Sequence, residues 1–363
     1  MNLNNPANSG VAMNATYRAH GGGSVRDRSA RTAGRARKAV GILTIGAVTA
    51  TSLVAVGIGS VVGASASAAE VVGGPTPRNT TAAVMAGTFN INHGRSGLGA
   101  SAQRLNGITA EIRRAGFDVV GLQEAATEMR DKLIPRLRPT YAYSLLGDSK
   151  GRNSTGGQIF YKPDVLTPGS IAGIIELPSP SNSNQRSGLY QDFYHRATGA
   201  HFLFTSVHLS NLAGRAASDV RHAQATRLMD GLNSVNRAGL PLVLAGDMNS
   251  NAASKYVYDA PRRVYLGNGL SEVFDRAATK VNAKYNSFNH LQATPRLGGY
   301  RPDQIYVAGK VGVQYAETMV RLVTKKVKVR KKGRVIKKKV KRYKTPFVSD
   351  HSAIRAIVQI PPY

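Results

Sequence analysis

Six polar clusters in this sequence have the residue types that bind cations and move protons. They are Asn90 in TFNIN, Gln123–Glu124 in VVGLQEA, His208 in TSVHLSN, Asp247 and Asn249 in LVLAGDMNS, Asp303 in RPDQIYV, and Asp350–His351 in VSDHSAI. Five lie at or beside the ends of apolar runs that read as strands, and Asp303 opens one. Loops at strand ends, held by a rigid sheet, are where sites are usually built. Oxygen-rich sets of Asn, Asp and Glu suit a hard cation such as Mg²⁺ or Ca²⁺. The two histidines can transfer protons near neutral pH. Any one cluster alone reads more often as a turn or helix cap than as a ligand. The argument rests on the ordered set.

The elements that must position these residues alternate between strand and helix. Residues 84–92 read as a strand entering a loop. Residues 101–115 have helical spacing, with Leu105, Ile108 and Ile112 on one face and Gly116 as the C-cap. Residues 118–123 and 158–161 are short strands, and 170–190, rich in Ser, Pro and Asn, read as a loop. A strand over 201–209 and a helix over 213–237 follow. An apolar strand over 240–245 stops at Gly246, and 304–307 and 352–359 are late strands. The pattern predicts a layered α/β domain over residues 84–363, with no internal repeat.

Composition narrows the partners. The chain has 363 residues, 42% of them hydrophobic, and 49 Lys+Arg against 20 Asp+Glu give a net charge of +29. Such a field attracts polyanions: nucleic acid, anionic lipid or anionic cell-surface polymers. The absence of Cys excludes disulfides and thiolate metal sites. Residues 1–39 form a basic, polar n-region, followed by an uncharged apolar run over 40–69 that ends in small residues with A-x-A sites at 64–66 and 66–68. This reads as a secretory signal. The run is also long enough for a retained membrane anchor, although its small-residue end favours cleavage. Either way the remainder is expected outside the cytoplasm, extracellular or on the cell surface. Residues 70–83 read as a linker.

In their order, FNI, QE, a strand ending at His208, GDMN, DQIYV and SDH resemble the endonuclease/exonuclease/phosphatase superfamily, and most nearly deoxyribonuclease I and secreted bacterial relatives. The resemblance covers residues 84–361. It implies a four-layer α/β sandwich, two packed mixed β-sheets flanked by helices, with the site at one end of the sheets. It also implies metal-dependent hydrolysis of a phosphodiester, with Mg²⁺ expected and Mn²⁺ or Ca²⁺ as alternatives. Glu124 resembles the metal-binding glutamate, with Asn90 and Asp350 as its companions. Asp247 and Asn249 resemble the pair that positions the phosphate or a second metal. His351 resembles the general base oriented by Asp303, and His208 the acid toward the leaving oxygen. In deoxyribonuclease I a glutamate after GRNS supports the second histidine. Here that segment reads TGGQIF, and Gly157 falls where the acid would be. Arg152 and Asn153 in GRNS are candidate phosphate contacts, or an exposed loop. Asn92 and His93 read as loop residues.

Residues 321–344, RLVTKKVKVRKKGRVIKKKVKRYK, hold 14 Lys and Arg in 24 positions. Interleaved valines and Gly333 near the middle predict a β-hairpin with a K-G turn. Inserted between DQIYV and SDH, it is expected beside the site. Lys328, Arg330, Lys337 and Lys339 there are candidate phosphate contacts. A solvated basic arm is the alternative. The reading that joins these features is an exported nuclease with nucleic acid as its substrate. A phosphodiesterase for phospholipid such as sphingomyelin or for a small phosphate ester, and a non-catalytic polyanion-binding surface protein, are the alternatives. No protein partner is implied, and a monomer is expected.

Overall fold

The computed structural model describes residues 80–93, 98–125, 127–144, 157–180, 185–251, 260–331 and 333–362. The expectations for residues 1–39 and 40–69, and most of the linker, lie outside the described residues. The chain begins with β1 (Ala82–Asn90), α1 (Ala102–Ala115), β2 (Val119–Gln123), α2 (Thr127–Leu137), β3 (Ala142–Tyr143) and β4 (Gln158–Tyr161). It continues through β5 (Leu166–Leu177), β6 (Arg186–His195), β7 (His201–His208), α3 (Arg215–Val235), β8 (Leu242–Asp247) and α4 (Ala260–Gly267). It ends with β9 (Leu270–Glu272), α5 (Val273–Arg276), β10 (Thr279–Val281), β11 (Asp303–Ala308), β12 (Gly312–Thr318), β13 (Leu322–Lys331), β14 (Arg334–Tyr343) and β15 (Ile354–Ile360).

These strands form a seven-stranded sheet, ordered β10-β12-β15-β1-β2-β4-β3, and a six-stranded sheet, ordered β5-β6-β7-β8-β11-β9. Both are mixed: β1 runs parallel to β2 but antiparallel to β15, and β7 parallel to β8 but antiparallel to β6. Three apolar layers hold them. Val84, Ala86 and Val119 of the first sheet meet Phe202, Phe204, Val243 and Ile305 of the second. Leu105, Ile108 and Ile112 of α1 and Met129 and Leu133 of α2 cover the outer face of the first sheet. Ala225, Leu228 and Leu232 of α3 and Tyr265 of α4 cover the outer face of the second. Helix, sheet, sheet and helix make the four-layer α/β sandwich.

Alternation along each strand sets the site. Side chains at every second position enter the layer between the sheets. On β1 these are Val84, Ala86, Thr88 and Asn90; on β7, Phe202, Phe204, Ser206 and His208. On β8 they are Val243, Ala245 and Asp247, and on β11 Asp303, Ile305 and Val307. The inward series is apolar through the middle and turns polar at one end of the sandwich. There Thr88 donates to Gln123 Oε1 at 3.0 Å, and Gln123 Nε2 reaches Ser206 Oγ of the opposite sheet at 3.2 Å.

Two expectations are corrected. The first strand starts at Ala82, inside the expected linker, because Ala82 continues the inward series and pairs with Ile360. Residues 170–190 are not a loop. Most of them form β5 and β6, paired from Leu166↔His195 to Leu177↔Arg186 with an irregularity between Pro168 and Ala172. β5 is an edge strand, where Pro and Gly are tolerated. Asp192 Oδ1 accepts from the Ile171 amide there at 2.8 Å. The expected hairpin is present as β13–β14, with Gly333 at φ 74°.

Close approach of the sheets near the site depends on Gly121. A Cβ there would lie 2.5 Å from Ser206 Oγ. Gly121→Ala is expected to destabilise the protein by about 1–3 kcal/mol through overpacking. Adding Ser206→Gly, which removes both Oγ at 2.5 Å and Cβ at 2.7 Å from the new methyl, should recover part of the loss, as read by urea unfolding of both variants. Equal stability of Gly121→Ala and the native chain would contradict this spacing.

Candidate active site

The polar end of the sandwich is bridged by the Asn90 side chain. Its Nδ2 donates to Asp247 Oδ2 at 2.9 Å across the sheets, and to Glu124 Oε1 at 3.2 Å. Its Oδ1 accepts from the Asn92 amide at 2.9 Å. Glu124 follows the last residue of β2 and is out of phase with the inward series. A left-handed backbone, φ 59°, accompanies the turn that brings its carboxylate to Asn90. Non-glycine residues rarely take that conformation, and it recurs at functional sites. Asn92 and Asn249, at φ 54° and 46°, share it. The His93 amide donates to Glu124 Oε2 at 3.0 Å, and His93 Nδ1 contacts the same oxygen. Burial opposes ionisation of Glu124, but nearby His208 and the donors from His93 and Asn90 outweigh it and bring the carboxyl down to about 2.

The second centre is His351. Its Nδ1 donates to Asp303 Oδ2 at 2.8 Å, and Ser287 Oγ donates to the same oxygen at 2.6 Å. Nδ1 is therefore committed to the carboxylate, and Nε2 faces the site, 3.9 Å from Asp247 Oδ2 and 4.0 Å from Asp350 Oδ1. The Phe288 ring lies 4.8 Å from the imidazole and limits its movement. Burial disfavours the imidazolium, but Asp303 first, then Asp247 and Asp350, outweigh it and push the pKa up to about 10. Burial and the charge of Asp303 push the Asp247 carboxyl up to about 6.

His208 Nε2 lies 3.6 Å from Asp247 Oδ2. Its Nδ1 is buried without a hydrogen-bond partner among the described residues. The carboxylate that the resemblance puts behind this histidine is missing at Gly157, where a Cβ would lie 2.9 Å from the end of the Leu189 side chain. Burial, with Arg186 adding repulsion, drives the His208 pKa well below its ordinary value. Burial thus disfavours the charged form of His208. Asn249 donates its amide N–H to Asp247 Oδ1 at 2.9 Å and its Nδ2 to Leu209 O at 3.0 Å.

Glu124, Asp247, Asp303 and Asp350 form a carboxylate set of the hard-oxygen kind that suits a divalent cation. The Asn90 side chain turns its Nδ2 to Glu124 and Asp247 and its Oδ1 to the Asn92 amide, so it would offer an oxygen to a cation only with its amide reversed. Asp247, Asp303 and His351 also offer ligand atoms all within 4.8 Å of one another. The His351–Asp303 hydrogen bond ties that trio together, with Asp350 beside His351 and Asn90 bonded to Glu124 around it.

Several contributors were not legible as site residues in the sequence. His93, read as a loop residue, contacts Glu124. Ser287 and Phe288 lie in a stretch without periodicity. Arg104 is buried in α1 and has no acidic hydrogen-bond partner among the described residues. Its guanidinium donates to Val348 O at 2.8 Å and to the Ile91, Asn92 and Gly99 carbonyls, so it clamps the loop after β1 to the segment before Ser349. A signal existed: Arg104 is in phase with Ile108, Glu111 and Ile112 on the buried face. Arg152 and Asn153 lie outside the described residues. Lys328, Arg330, Lys337 and Lys339 are exposed on the hairpin and share one of its faces.

Comparison with known proteins agrees with the fold. No curated protein sequence matches the chain. Among solved structures, an endonuclease/exonuclease/phosphatase family protein from Bacteroides thetaiotaomicron is similar with a TM-score of 0.58 and 19% identity, over 78% of this chain and 100% of that one. A mannosyl-6-phosphatase from the same organism gives 0.57 and 20%, over 76% and 99%. TDP2 of D. rerio, complexed with a single-strand DNA product, gives 0.51 and 16%, over 76% and 99%. The sequence model of the endonuclease/exonuclease/phosphatase family matches residues 87–351. The chain belongs to that family of phosphoesterases.

Proposed function

We propose that this protein is an exported, divalent-cation-dependent phosphodiesterase that hydrolyses nucleic acid, DNA or RNA. The observation that carries the reading is the pairing, at one end of the sandwich, of an oriented histidine with a carboxylate set. His351 is held by Asp303 at 2.8 Å, and Glu124 lies beside Asn90 at 3.2 Å. Phosphodiester hydrolysis needs a water activated in line with the leaving group and positive charge on the non-bridging oxygens. In this reading His351 Nε2 takes the proton from the attacking water, while Asp303 fixes the tautomer and stabilises the imidazolium. Asn249 and Asp247 position the phosphate. His208 hydrogen-bonds the substrate near the leaving oxygen. Glu124, Asn90 and Asp350 hold the cation, with Mg²⁺ expected and Mn²⁺ or Ca²⁺ as substitutes. A bound divalent cation would neutralise developing charge on the phosphate and offset the carboxylates that keep His351 protonated.

The net charge of +29 supports nucleic acid as the substrate class, since a polyanion gains most from such a field. Fold alone does not select it: structural relatives include a mannosyl-6-phosphatase and a TDP2 complexed with single-strand DNA product. Export is supported by the basic n-region and the apolar run with its small-residue end.

Two outcomes are expected. The purified chain should nick plasmid DNA, or cleave RNA, with Mg²⁺ and not with EDTA, and Glu124→Ala and His351→Ala should both lose the activity. Cleavage of a sphingomyelin analogue alone would keep the chemistry and replace the substrate; no turnover of any of the three would reject the enzyme reading. Asp303→Asn should lower kcat by about 10²–10⁴-fold with KM little changed, because the substrate does not contact Asp303. A loss confined to KM would contradict the assigned role.

A further inference from the structure

The β13–β14 hairpin forms a sheet of its own. Ten residues per strand give it a reach of roughly 33 Å. It is rooted beside the active site: the Tyr343 amide donates to Ala293 O and the Lys344 amide to Arg321 O, each at 2.8 Å. Arg321, Tyr343 and Lys344 line the same cavity as Asn289, Ser349 and His351.

The register sorts the side chains onto two unlike faces. Directly opposed residues share a face, so Lys326↔Lys339 and Lys328↔Lys337 stand together, joined by Arg330 and Lys341. All six of these side chains are exposed. The other face carries the half-buried Val323, Val327, Val329 and Val340 and the exposed Ile336, interleaved with Lys325, Arg334, Lys338 and Arg342. Like charges set directly opposite each other destabilise a hairpin. No acidic residue occurs between 321 and 344 to relieve them. The only ion pair of that segment among the described residues is at its root, Arg321 with Glu111 at 3.8 Å. A row of mutually repelling exposed cations is complementary to a row of phosphates. The tip reads KKGR, and the apolar side chains of the second face, Val323, Val327, Val329, Ile336 and Val340, are all β-branched. A charged tip does not suit insertion into a bilayer. A two-stranded ribbon, by contrast, fits a nucleic-acid groove of about 12 Å.

We infer that the hairpin is a nucleic-acid-binding arm. Its face of Lys326, Lys328, Arg330, Lys337, Lys339 and Lys341 grips the phosphate backbone and leads the strand past Arg321 and Lys344 into the active site. This deepens the nuclease reading and rests on it for the identity of the polymer.

The test compares two triple variants of the full chain that remove equal charge. Lys326→Gln/Lys328→Gln/Lys337→Gln alters the cationic face, and Lys325→Gln/Lys338→Gln/Arg342→Gln alters the other. Binding of labelled DNA, duplex and single-stranded, is measured by fluorescence anisotropy across a salt series in EDTA, so that no turnover intervenes. The first triple should lower the slope of log affinity against log salt by about 2–3, at about 0.9 per lost duplex contact, and weaken binding on the order of tenfold or more at moderate salt. The second should change both much less. Equal effects of the two triples would overturn the inference. So would face-dependent binding to phosphatidylserine vesicles without face-dependent binding to DNA. Face-dependent DNA binding by a chain that hydrolyses no DNA or RNA would sustain the arm and reject the nuclease reading. Hydrolysis of DNA with indistinguishable triples would do the reverse.

Discussion

The structure turns on one amide. Asn90 stands at the last position of β1, and its Nδ2 joins Asp247 of the opposite sheet to Glu124 at the end of the neighbouring strand. The contact exists because two sheets pack face to face and every second residue enters the space between them. Where the strands end, that space can no longer be filled by apolar side chains without exposing them. Thr88, Asn90, Gln123, His208, Asp247 and Asp303 occupy it instead, each in phase with the core residues behind it. The same alternation that packs the core therefore delivers the chemistry to one place, on backbone too rigid to let it drift.

Gathering four carboxylates in a buried cleft is electrostatically unfavourable, and the surroundings show how the fold tolerates it. Asn90 and the His93 amide satisfy Glu124. His351 and Ser287 satisfy Asp303, and Asn90 and the Asn249 amide satisfy Asp247. Arg104, held by carbonyls rather than by an acid, keeps an unspent positive charge within range of Asp350 and Glu124. Burial still lifts Asp247, and the three aspartates still lift His351. A site so poised favours the arrival of positive charge.

Much of this was legible in the sequence because strand periodicity and polar strand ends coincide. Asn90, His208 and Asp247 could be read from apolar runs that stop on polar residues, and Asp303 from one that starts on it. Strands 158–161 and 201–208 and the helix ending at Gly116 followed from local pattern and cap. What was not legible depends on long-range geometry. Edge strand β5 hides behind Pro168, Gly169 and Ser170, which look like loop until β6 pairs with them. His93 and Ser287 have no local signature, since each matters only through a partner 31 or 16 residues away. The absence of an acid at Gly157 was readable, but the burial of His208 beside Asp247 was not.

The central claim is a division of labour: Glu124 with Asn90 and Asp350 holds the cation, and His351 with Asp303 moves the proton. Mn²⁺ binding, followed by the electron paramagnetic resonance of the free ion, tests it without reference to any substrate. The account predicts a site in the native chain that is lost in Glu124→Gln and retained in Asp303→Asn. Retention in Glu124→Gln with loss in Asp303→Asn would put the ion among Asp247, Asp303 and His351 and contradict the account.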